Sequence, residues 1–312
     1  MGIKTAKAIT KNVGTLTLPP GFDWQRWVER WDRMQARYLV KREERFALLA
    51  RLVRGEATHR EGKGPSAQVV DLGCGPGSLM EVMLDAMPRA EVWGIDFDPA
   101  ALLLARARLA RYGERAHLAL ADLRSPTWTD GLRTLGRLPR GVDAVVSATA
   151  LHWLKPGPLA TLYGQIAALL RPGGLFLNAD HVGSDYPPLQ AAWERHRAEM
   201  RAAKHDGRND EVDRNPVADK NPVGASLGSA DPADANSGSP EPWDEFWTAY
   251  TAALGLDAAE EGARVLGGWD GGVEQGLSLA WHLDALREAG FGAVDCFWRC
   301  DCDAIYGGFK LL

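Results

Sequence analysis

Three glycines at alternate positions, Gly73, Gly75 and Gly77, lie between an apolar run and a helix-like pattern in the stretch VVDLGCGPGSLMEVM. Glycine tolerates positive φ and lets the backbone approach a ligand with no Cβ in the way. The helix that begins behind them offers N–H groups that suit a carboxylate or a phosphate. The turn therefore predicts a site for a ligand that carries an anionic group.

A second chemical signal is Asp96, which ends the apolar run EVWGID. It follows the glycines at a distance of about 20 residues, where a carboxylate can accept hydrogen bonds from ribose hydroxyls. Dinucleotide-binding oxidoreductases show G-x-G-x-x-G, whereas this chain has Ser78 at the third glycine position. An NAD(P)-dependent oxidoreductase thus suits Asp96 but does not suit the glycine spacing.

Short apolar runs that alternate with helix-like segments must position these residues. The predicted strands are QVVDL, EVWGID, HLALA, VDAVVSA, GLFLNAD, AVDCFWRC and AIYGGFK. Strands separated by helices predict parallel β-α-β units with both sheet faces covered, and the short connection between the last two predicts an antiparallel pair. We therefore predict an α/β fold with a doubly wound, mostly parallel seven-stranded sheet.

The rest of the chain is predicted as additions to this sheet. Residues 1–20 are interpreted as a flexible tail, and Asp23 is expected to cap one helix that runs toward Val53. Residues 21–312 are predicted to form a single domain. Within it, residues 183–276 are an expected insertion over the substrate, with two helix-like pieces, a polar loop near 203–241 predicted to be disordered, and the GGWDGG segment as a candidate hinge.

Composition narrows the classes of partner. The net charge of −5 and the sequence pI near 5.8 disfavour nucleic acid and favour a small molecule. No apolar run is long enough to span a bilayer, and four cysteines fit a cytoplasmic protein better than a disulfide scaffold. The C-x3-C-x-C pattern lacks the usual spacing of a zinc site, so no metal is expected.

Combined, the motifs resemble those of a known family. DLGCGPG, GIDFDP, ADL, VDAVVSATALHWL and LRPGG are similar, in this order, to the motifs of class I S-adenosylmethionine-dependent methyltransferases. The resemblance covers roughly residues 68–180 and resumes in the last helix and strands. It implies a Rossmann-like methyltransferase fold and S-adenosylmethionine as the cofactor.

The resemblance also implies which residues hold the methionine end of the cofactor. Asp71 would lie near its α-amino group, the backbone of Gly73 to Gly77 would cradle it, and Ser147 would line its side. The segment EERFALLARLV is similar to one in the trans-aconitate methyltransferase group that places an arginine on the cofactor carboxylate. By that likeness Arg45 is a candidate, and a solvated arginine is the alternative.

For the adenosine end, the resemblance implies four residues. Asp96 would take the ribose hydroxyls, and Phe97 would pack on the adenine face. Asp122 would accept from the adenine amino group, and the backbone of Leu123 would contact the ring edge. Each carboxylate has an alternative role as a helix cap.

Two histidines follow neighbouring predicted strands and are candidates for chemistry. His152 lies just past VDAVVSA, and His181 lies just past GLFLNAD, whose last residue is Asp180. Both would lie at the edge of the sheet where the transferred methyl group points, and histidine can take a proton near neutral pH. We interpret them as candidate bases or hydrogen-bond partners of the acceptor, with a structural role as the alternative.

Aromatic residues are the candidates for substrate contact. Tyr38, Trp153 and Trp247 could line an aromatic pocket for the acceptor beneath the insertion. The alternative is that these side chains, with the stripe Trp24, Trp27 and Trp31, pack helices together.

The sequence thus predicts a methyltransferase that acts on an oxygen, a nitrogen or a carboxylate of a small molecule. Three alternatives stay open: a non-methylating enzyme that binds the same cofactor, a regulatory or interaction protein of the same fold, and a tRNA-modifying methyltransferase. No acceptor and no oligomeric state are predicted.

Overall fold

The computed structural model describes residues 11–12, 20–39, 41–58, 67–130, 141–205, 241–256 and 276–311. The loop predicted near 203–241 lies outside the described residues except at its two ends, and the GGWDGG segment lies outside them entirely. No helix within the described ranges is long and apolar enough to cross a membrane.

Strands and helices alternate along the described chain. The strands are β1 (Lys11–Asn12), β2 (Gln68–Leu72), β3 (Glu91–Asp96), β4 (Ala116–Leu120), β5 (Val142–Ala148), β6 (Leu170–His181), β7 (Phe291–Cys300) and β8 (Asp303–Lys310). The helices are α1 (Trp24–Tyr38), α2 (Arg42–Thr58), α3 (Ser78–Ala86), α4 (Pro99–Leu109), α5 (Pro156–Leu169), α6 (Pro187–His205), α7 (Trp243–Ala253) and α8 (Leu279–Glu288).

The described strands form one sheet in the order β1-β4-β3-β2-β5-β6-β8-β7. β2, β3, β4, β5 and β6 pair in parallel, and β8 pairs antiparallel with both β6 and β7. This is the predicted seven-stranded sheet, to which the two residues of β1 add an antiparallel edge beside β4. The strands that follow β2 extend the sheet toward one edge, and those that follow β5 extend it toward the other. The strand order therefore reverses between β2 and β5, and a ligand site is expected at the carboxyl ends of these two strands.

Apolar side chains cover both faces of this sheet. In β2, Val69 packs with α2, α3 and α4 on one face, whereas its neighbour Val70 packs with α5 and α8 on the other. Adjacent residues of a strand point to opposite faces, so a strand covered on both sides must be apolar throughout. The continuous apolar runs of the sequence reflect this two-sided burial.

The N-terminal region departs from the prediction of one helix from Asp23 to Val53. Asp23 caps α1 as expected, accepting from the backbone N–H of Arg26, but α1 ends at Tyr38. Leu39 is extended and Lys41 has a left-handed φ of 52° before α2 begins. The break lets α1 pack on α4 and α7 while α2 packs on α3 and the sheet.

A buried arginine joins α1 to the glycine turn. Nη1 and Nη2 of Arg108 each lie 2.9 Å from an oxygen of Asp32 on α1, and Nε donates to the carbonyl oxygen of Pro76 at 2.9 Å. Asp32 also accepts from the hydroxyl of Ser78, the first residue of α3, at 3.3 Å. One ion pair therefore connects α1, α4 and the turn.

Replacing Arg108 by methionine is expected to lower the free energy of unfolding by about 2 kcal/mol, because buried hydrogen bonds to charged groups are lost. Arg111→Met is the matched control, since Arg111 pairs with Glu81, as Arg108 does, but exposes 60% of its side chain. An exposed pair contributes less than about 1 kcal/mol. Chemical denaturation measures both variants, and equal losses would contradict the role of the buried pair.

Candidate functional site

The glycine turn lies where β2 ends and α3 begins, and it is tied to β3. The N–H groups of Gly73 and Cys74 both donate to the carbonyl oxygen of Ile95, at 2.8 and 3.1 Å. Gly73 has φ +65°, and a Cβ added there would lie 2.4 Å from Cβ of Ala150 in the loop after β5. A glycine is required at this position by both the backbone conformation and the close approach.

The first turn of α3 is available to an anion. Gly77, at the start of α3, has φ 80°, and no side chain caps the helix there. The N–H groups at a helix start carry partial positive charge and bind carboxylates and phosphates. The structure thus confirms the predicted turn of three glycines with positive φ ahead of a helix.

Asp96 is a buried carboxylate that supports the turn from β3. Its Oδ2 accepts from the N–H of Gly75 at 2.8 Å and its Oδ1 from that of Asp98 at 2.9 Å. Burial raises the pKa of Asp96 to about 6, against the opposing effect of these hydrogen bonds. Above that pH the carboxylate is ionised and can accept from further donors, such as hydroxyl groups.

Asp71, on β2, is the second buried carboxylate. It is 1% exposed, and its Oδ2 has no hydrogen-bond partner among the described residues. Burial, together with the charge of Asp96, raises the pKa of Asp71 well above its ordinary value. A buried carboxylate oxygen without a donor is costly, and a cationic or donor group of a ligand would offset that cost.

Ser147 and Asp122 both have partners within the chain. The hydroxyl of Ser147 donates to the carbonyl oxygen of Leu72 at 2.7 Å, which joins the ends of β5 and β2. Arg124 donates to both carboxylate oxygens of Asp122, with Nη2 2.8 Å from Oδ2 and Nε 2.9 Å from Oδ1. Phe97 directly follows Asp96 and is half-buried.

His152 and Asp180 form a buried pair at the same edge of the sheet. Nδ1 of His152 lies 2.6 Å from Oδ1 of Asp180, and the backbone N–H of His152 donates to Oδ2 at 3.0 Å. Burial alone would raise the pKa of Asp180, but the pairing with His152 and His181 holds it well below the ordinary value. Because Asp180 is ionised and can only accept, Nδ1 of His152 carries a proton, and Nε2 is the remaining ring nitrogen.

A second histidine and carboxylate pair lies beside the first. Nδ1 of His181 lies 2.8 Å from Oδ1 of Asp303, and the rings of His152 and His181 have centroids 4.9 Å apart. Although burial acts to raise it, the hydrogen bond from His181 and the charge of Arg45 lower the pKa of Asp303. The structure therefore brings together the two histidines that the sequence singled out.

Arg45, on α2, points into this group. It is 1% exposed, and its Nη1 lies 3.4 Å from Oδ1 of Asp303. Burial lowers the pKa of Arg45, against the opposing charges of Asp303 and Asp180. Its Nε and Nη2 are buried without a partner in the described part of the chain. Arg45 is thus a buried cation with donors for a carboxylate, and the solvated alternative is wrong.

The three aromatic candidates lie in different surroundings. Trp153 is 42% exposed, and its ring centroid lies 4.6 Å from that of His152. Trp247 is half-buried between α1 and α7, with its ring 5.6 Å from that of Trp31. Tyr38 ends α1, and its side chain is not among those described. Of these residues, the structure brings Trp153 to the histidine pair.

Several residues of the site were not predicted from the sequence. Asp303 was missed, although the antiparallel pairing of β6 with β8 sets it opposite His181. Asn178 and Tyr306, which continue the hydrogen bonding from Asp180 into the core, were missed as well. The available signal was the position of Asp303 directly before the predicted strand AIYGGFK.

Within the described ranges, no group of three or more histidine, cysteine, aspartate and glutamate side chains is arranged to hold a metal ion. The histidines of the site instead direct Nδ1 toward carboxylates. The arrangement suits proton transfer and the binding of a charged organic ligand.

Comparison with known proteins gives a family match over a region that includes the glycine turn. Residues 70–176 match the model of a family described as a methyltransferase domain. Over 106 residues the chain is 40% identical to a trans-aconitate 2-methyltransferase of Methylobacterium radiotolerans, covering 34% of this chain and 35% of that protein. Over 125 residues it is 33% identical to a release factor glutamine methyltransferase of Gloeobacter violaceus, covering 35% of this chain and 44% of that protein. The chain thus spans between a third and a half of the length of these relatives.

Among solved structures, the fold is similar to that of the CurJ carbon methyltransferase, with a TM-score of 0.50 and 12% sequence identity. That likeness covers 86% of this chain and 54% of the other, and at this identity it concerns the fold alone. The sheet order, the glycine turn and the family match lead to one conclusion. Over residues 70–176 the chain is similar to the methyltransferase domain of the class I S-adenosylmethionine-dependent family, whose methyl donor is S-adenosylmethionine.

Proposed function

We propose that the protein transfers the methyl group of S-adenosylmethionine to an oxygen, a nitrogen or a carboxylate of a small molecule. The observation that carries this proposal is the contact between the two halves of the site. Ala150, two residues before His152, packs so closely on Gly73 that no Cβ fits between them. The His152 and Asp180 pair therefore adjoins the turn that is proposed to hold the cofactor.

The methionine end of S-adenosylmethionine fits the unpaired groups of the site. Its α-ammonium would supply the donor that Oδ2 of Asp71 lacks. Its carboxylate would accept from the buried Nε and Nη2 of Arg45 or from the start of α3. The backbone of Gly73, Gly75 and Gly77 would cradle the chain between them, and Ser147 would fix the strand ends beneath it.

The adenosine end fits the residues that follow β3 and β4. Asp96 would accept from the ribose hydroxyls, and Phe97 would cover one adenine face. Leu123 would contact the edge of the adenine ring, and Asp122 would accept from the adenine amino group. The Asp122 carboxylate would then accept from the amino group and from Arg124 at the same time.

For chemistry, His152 is the proposed base. When bound, S-adenosylmethionine supplies a methyl group on a positively charged sulfur. Asp180 holds the His152 ring so that Nε2 can take the proton that an oxygen or nitrogen acceptor releases as its bond to the methyl carbon forms. Both side chains are buried, at 7% and 1% exposure, which keeps water from competing. His181, paired with Asp303, would orient the acceptor, and Trp153 would contact its apolar part.

Cofactor affinity is expected to depend on pH through Asp96. The pKa of this carboxyl is about 6 in the folded protein, so the group is protonated below and ionised above that pH. Ribose hydroxyls donate to the ionised form, and binding therefore favours it. The dissociation constant should therefore rise as the pH falls below 6, by up to about tenfold for each pH unit. Calorimetric titration with S-adenosylhomocysteine from pH 5 to 8 measures this, and an affinity that rises toward acid would contradict it.

The choice of a small molecule rests on two observations. The chain carries a net charge of −5, which disfavours an RNA substrate. A relative with a matched stretch of sequence is named for trans-aconitate, a small organic acid. A cytoplasmic location, also proposed, fits the four cysteines, all of them free thiols.

The experiment is an acceptor screen with two products measured at once. The protein is incubated with S-adenosylmethionine and panels of carboxylic acids, phenols, amines and tRNA, and S-adenosylhomocysteine and the methylated product are both quantified by mass spectrometry. We expect equal amounts of both with one small-molecule panel. Methylation of tRNA alone would show that the acceptor is tRNA and not a small molecule. Cofactor binding without any methylated product would favour a non-methylating member of the family.

A further inference from the structure

A row of buried polar side chains runs from Asp180 into the core, away from the proposed acceptor. It consists of Asn178 on β6, Tyr306 on β8, Tyr163 on α5 and His282 on α8. All four are at most 1% exposed. Buried polar groups are costly unless they are paired, so a row that joins four elements calls for an explanation.

The first link sets the orientation of the Asn178 amide. Its Nδ2 lies 3.3 Å from Oδ2 of Asp180 and 2.7 Å from the hydroxyl oxygen of Tyr306. An ionised carboxylate only accepts, so the amide must turn its N–H groups, and not its oxygen, toward Asp180. The Tyr306 oxygen accepts the second N–H, so its own proton must be donated further into the core.

The far end of the row accepts that proton. The Tyr306 hydroxyl oxygen lies 3.2 Å from the Tyr163 oxygen and 3.1 Å from Nδ1 of His282, and the Tyr163 oxygen lies 2.8 Å from the same Nδ1. Burial lowers the pKa of His282 to about 4, so its ring is neutral at pH 7. Nδ1 is therefore an acceptor and the ring proton is on Nε2, so every donor beyond the bond from Asn178 to Asp180 points away from Asp180.

Asp180 is thereby held from two sides. Three of its hydrogen bonds come from the proposed acceptor side: two from His152 and one from the backbone N–H of His181. The bond from Asn178 comes from the core side. Rotation of the amide would set its oxygen against the carboxylate and break the bond to Tyr306.

We propose that Asn178 is a positioning residue for the methyl transfer, held by Tyr306, Tyr163 and His282, that keeps Asp180 oriented so that His152 carries its proton on Nδ1 and accepts at Nε2. The inference rests on the proposed function of His152. It assigns no contact with the acceptor to any of the four residues. Their effect on turnover passes through Asp180.

Two variants and one control test this role. Tyr306→Phe removes the hydroxyl that holds the amide, and Asn178→Leu removes both donors at similar volume. Tyr112→Phe is the control, because its hydroxyl donates to Asp85 on the outer side of α3, away from the row. Circular dichroism checks that each variant folds. If one does not fold, Tyr163→Phe replaces it, because the Tyr163 hydroxyl lies further from Asp180 along the row.

Two readouts separate positioning from stability. The first is steady-state kinetics: kcat should fall about tenfold in Tyr306→Phe and Asn178→Leu, as for the loss of one hydrogen bond, while KM for S-adenosylmethionine stays unchanged. The second is nitrogen NMR of the histidine rings. We expect His152 to be protonated on Nδ1 and His282 on Nε2, and the Nδ1–H signal of His152 to shift in both variants and stay in place in Tyr112→Phe.

The outcomes distinguish this inference from the proposed function. If no acceptor is methylated but the His152 signal shifts as expected, the positioning is supported and the proposed reaction fails. If the wild-type protein turns over and neither variant changes kcat or the His152 signal, the row only stabilises the core and the inference is overturned. A rise in KM for the cofactor at constant kcat would overturn it as well.

Discussion

Replacing His152 by glutamine lowers kcat by about 10²- to 10⁴-fold for an acceptor that must lose a proton, because the ring nitrogen that takes this proton is gone. KM for S-adenosylmethionine stays unchanged, since His152 makes no proposed contact with it. For an acceptor that is already ionised, such as a carboxylate, the loss shrinks to a few-fold. The ratio of the two losses, measured by product formation, separates a base from a group that only orients the acceptor.

The chain offers a matched control for this substitution. His196 on α6 also pairs through Nδ1 with a carboxylate, that of Asp301, at 2.5 Å, but 55% of its side chain is exposed. His196→Gln removes the same kind of pair and should leave kcat unchanged. Full kcat in His152→Gln with a protonated acceptor would contradict the proposed base.

The substitution Asp71→Asn should affect stability and binding in opposite directions. Its carboxyl pKa is raised above the ordinary value near 3.8, so the folded state holds a proton that the unfolded state has lost. Stability therefore falls as the pH rises from that ordinary value to the raised one. At pH 8, Asp71→Asn removes the cost of burying an ionisable carboxyl, and the ligand-free protein should melt at a higher temperature. S-adenosylhomocysteine should bind about 100-fold more weakly, because its ammonium loses a charged partner.

Asp143 is the control for Asp71, because it is also buried on a central strand but fully partnered. Its Oδ1 accepts from Nε of Arg171 at 2.7 Å and its Oδ2 from the N–H of Gln68 at 2.8 Å. Asp143→Asn should lower the melting temperature and leave binding unchanged. If Asp71→Asn instead behaves like Asp143→Asn in thermal melts and titrations, Asp71 is structural and the ammonium site is elsewhere.

Most of the sheet could be predicted from the sequence because its central strands, β2, β3, β5 and β6, are covered on both faces and so appear as largely apolar runs. The glycine turn was equally visible, since its backbone conformation requires the residue type. The break between α1 and α2 was not, because the apolar spacing continues through it from Trp31 to Phe46. The left-handed conformation at Lys41 carries no sequence signal of its own.

The site was predictable where residues lie at or just beyond the carboxyl ends of strands, as for Asp96, His152 and Asp180. Asp303 and Tyr306 could not be found in this way, because their roles arise from the antiparallel register of β8 against β6. The ion pair of Asp122 with Arg124 depends on a local turn after β4. The burial of Arg45 depends on how α2 lies over the sheet, which no periodicity specifies.

The central claim, that this site holds S-adenosylmethionine, is tested most directly by calorimetric titration of the wild-type protein with S-adenosylhomocysteine and with NADH. The titration is repeated in buffers of different ionisation enthalpy. The change in the measured heat with buffer gives the number of protons that the protein and ligand release or take up on binding. The account predicts binding of S-adenosylhomocysteine, release of protons because the buried carboxylates Asp71 and Asp96 ionise on binding, and no heat with NADH. Binding of NADH without binding of S-adenosylhomocysteine would contradict it.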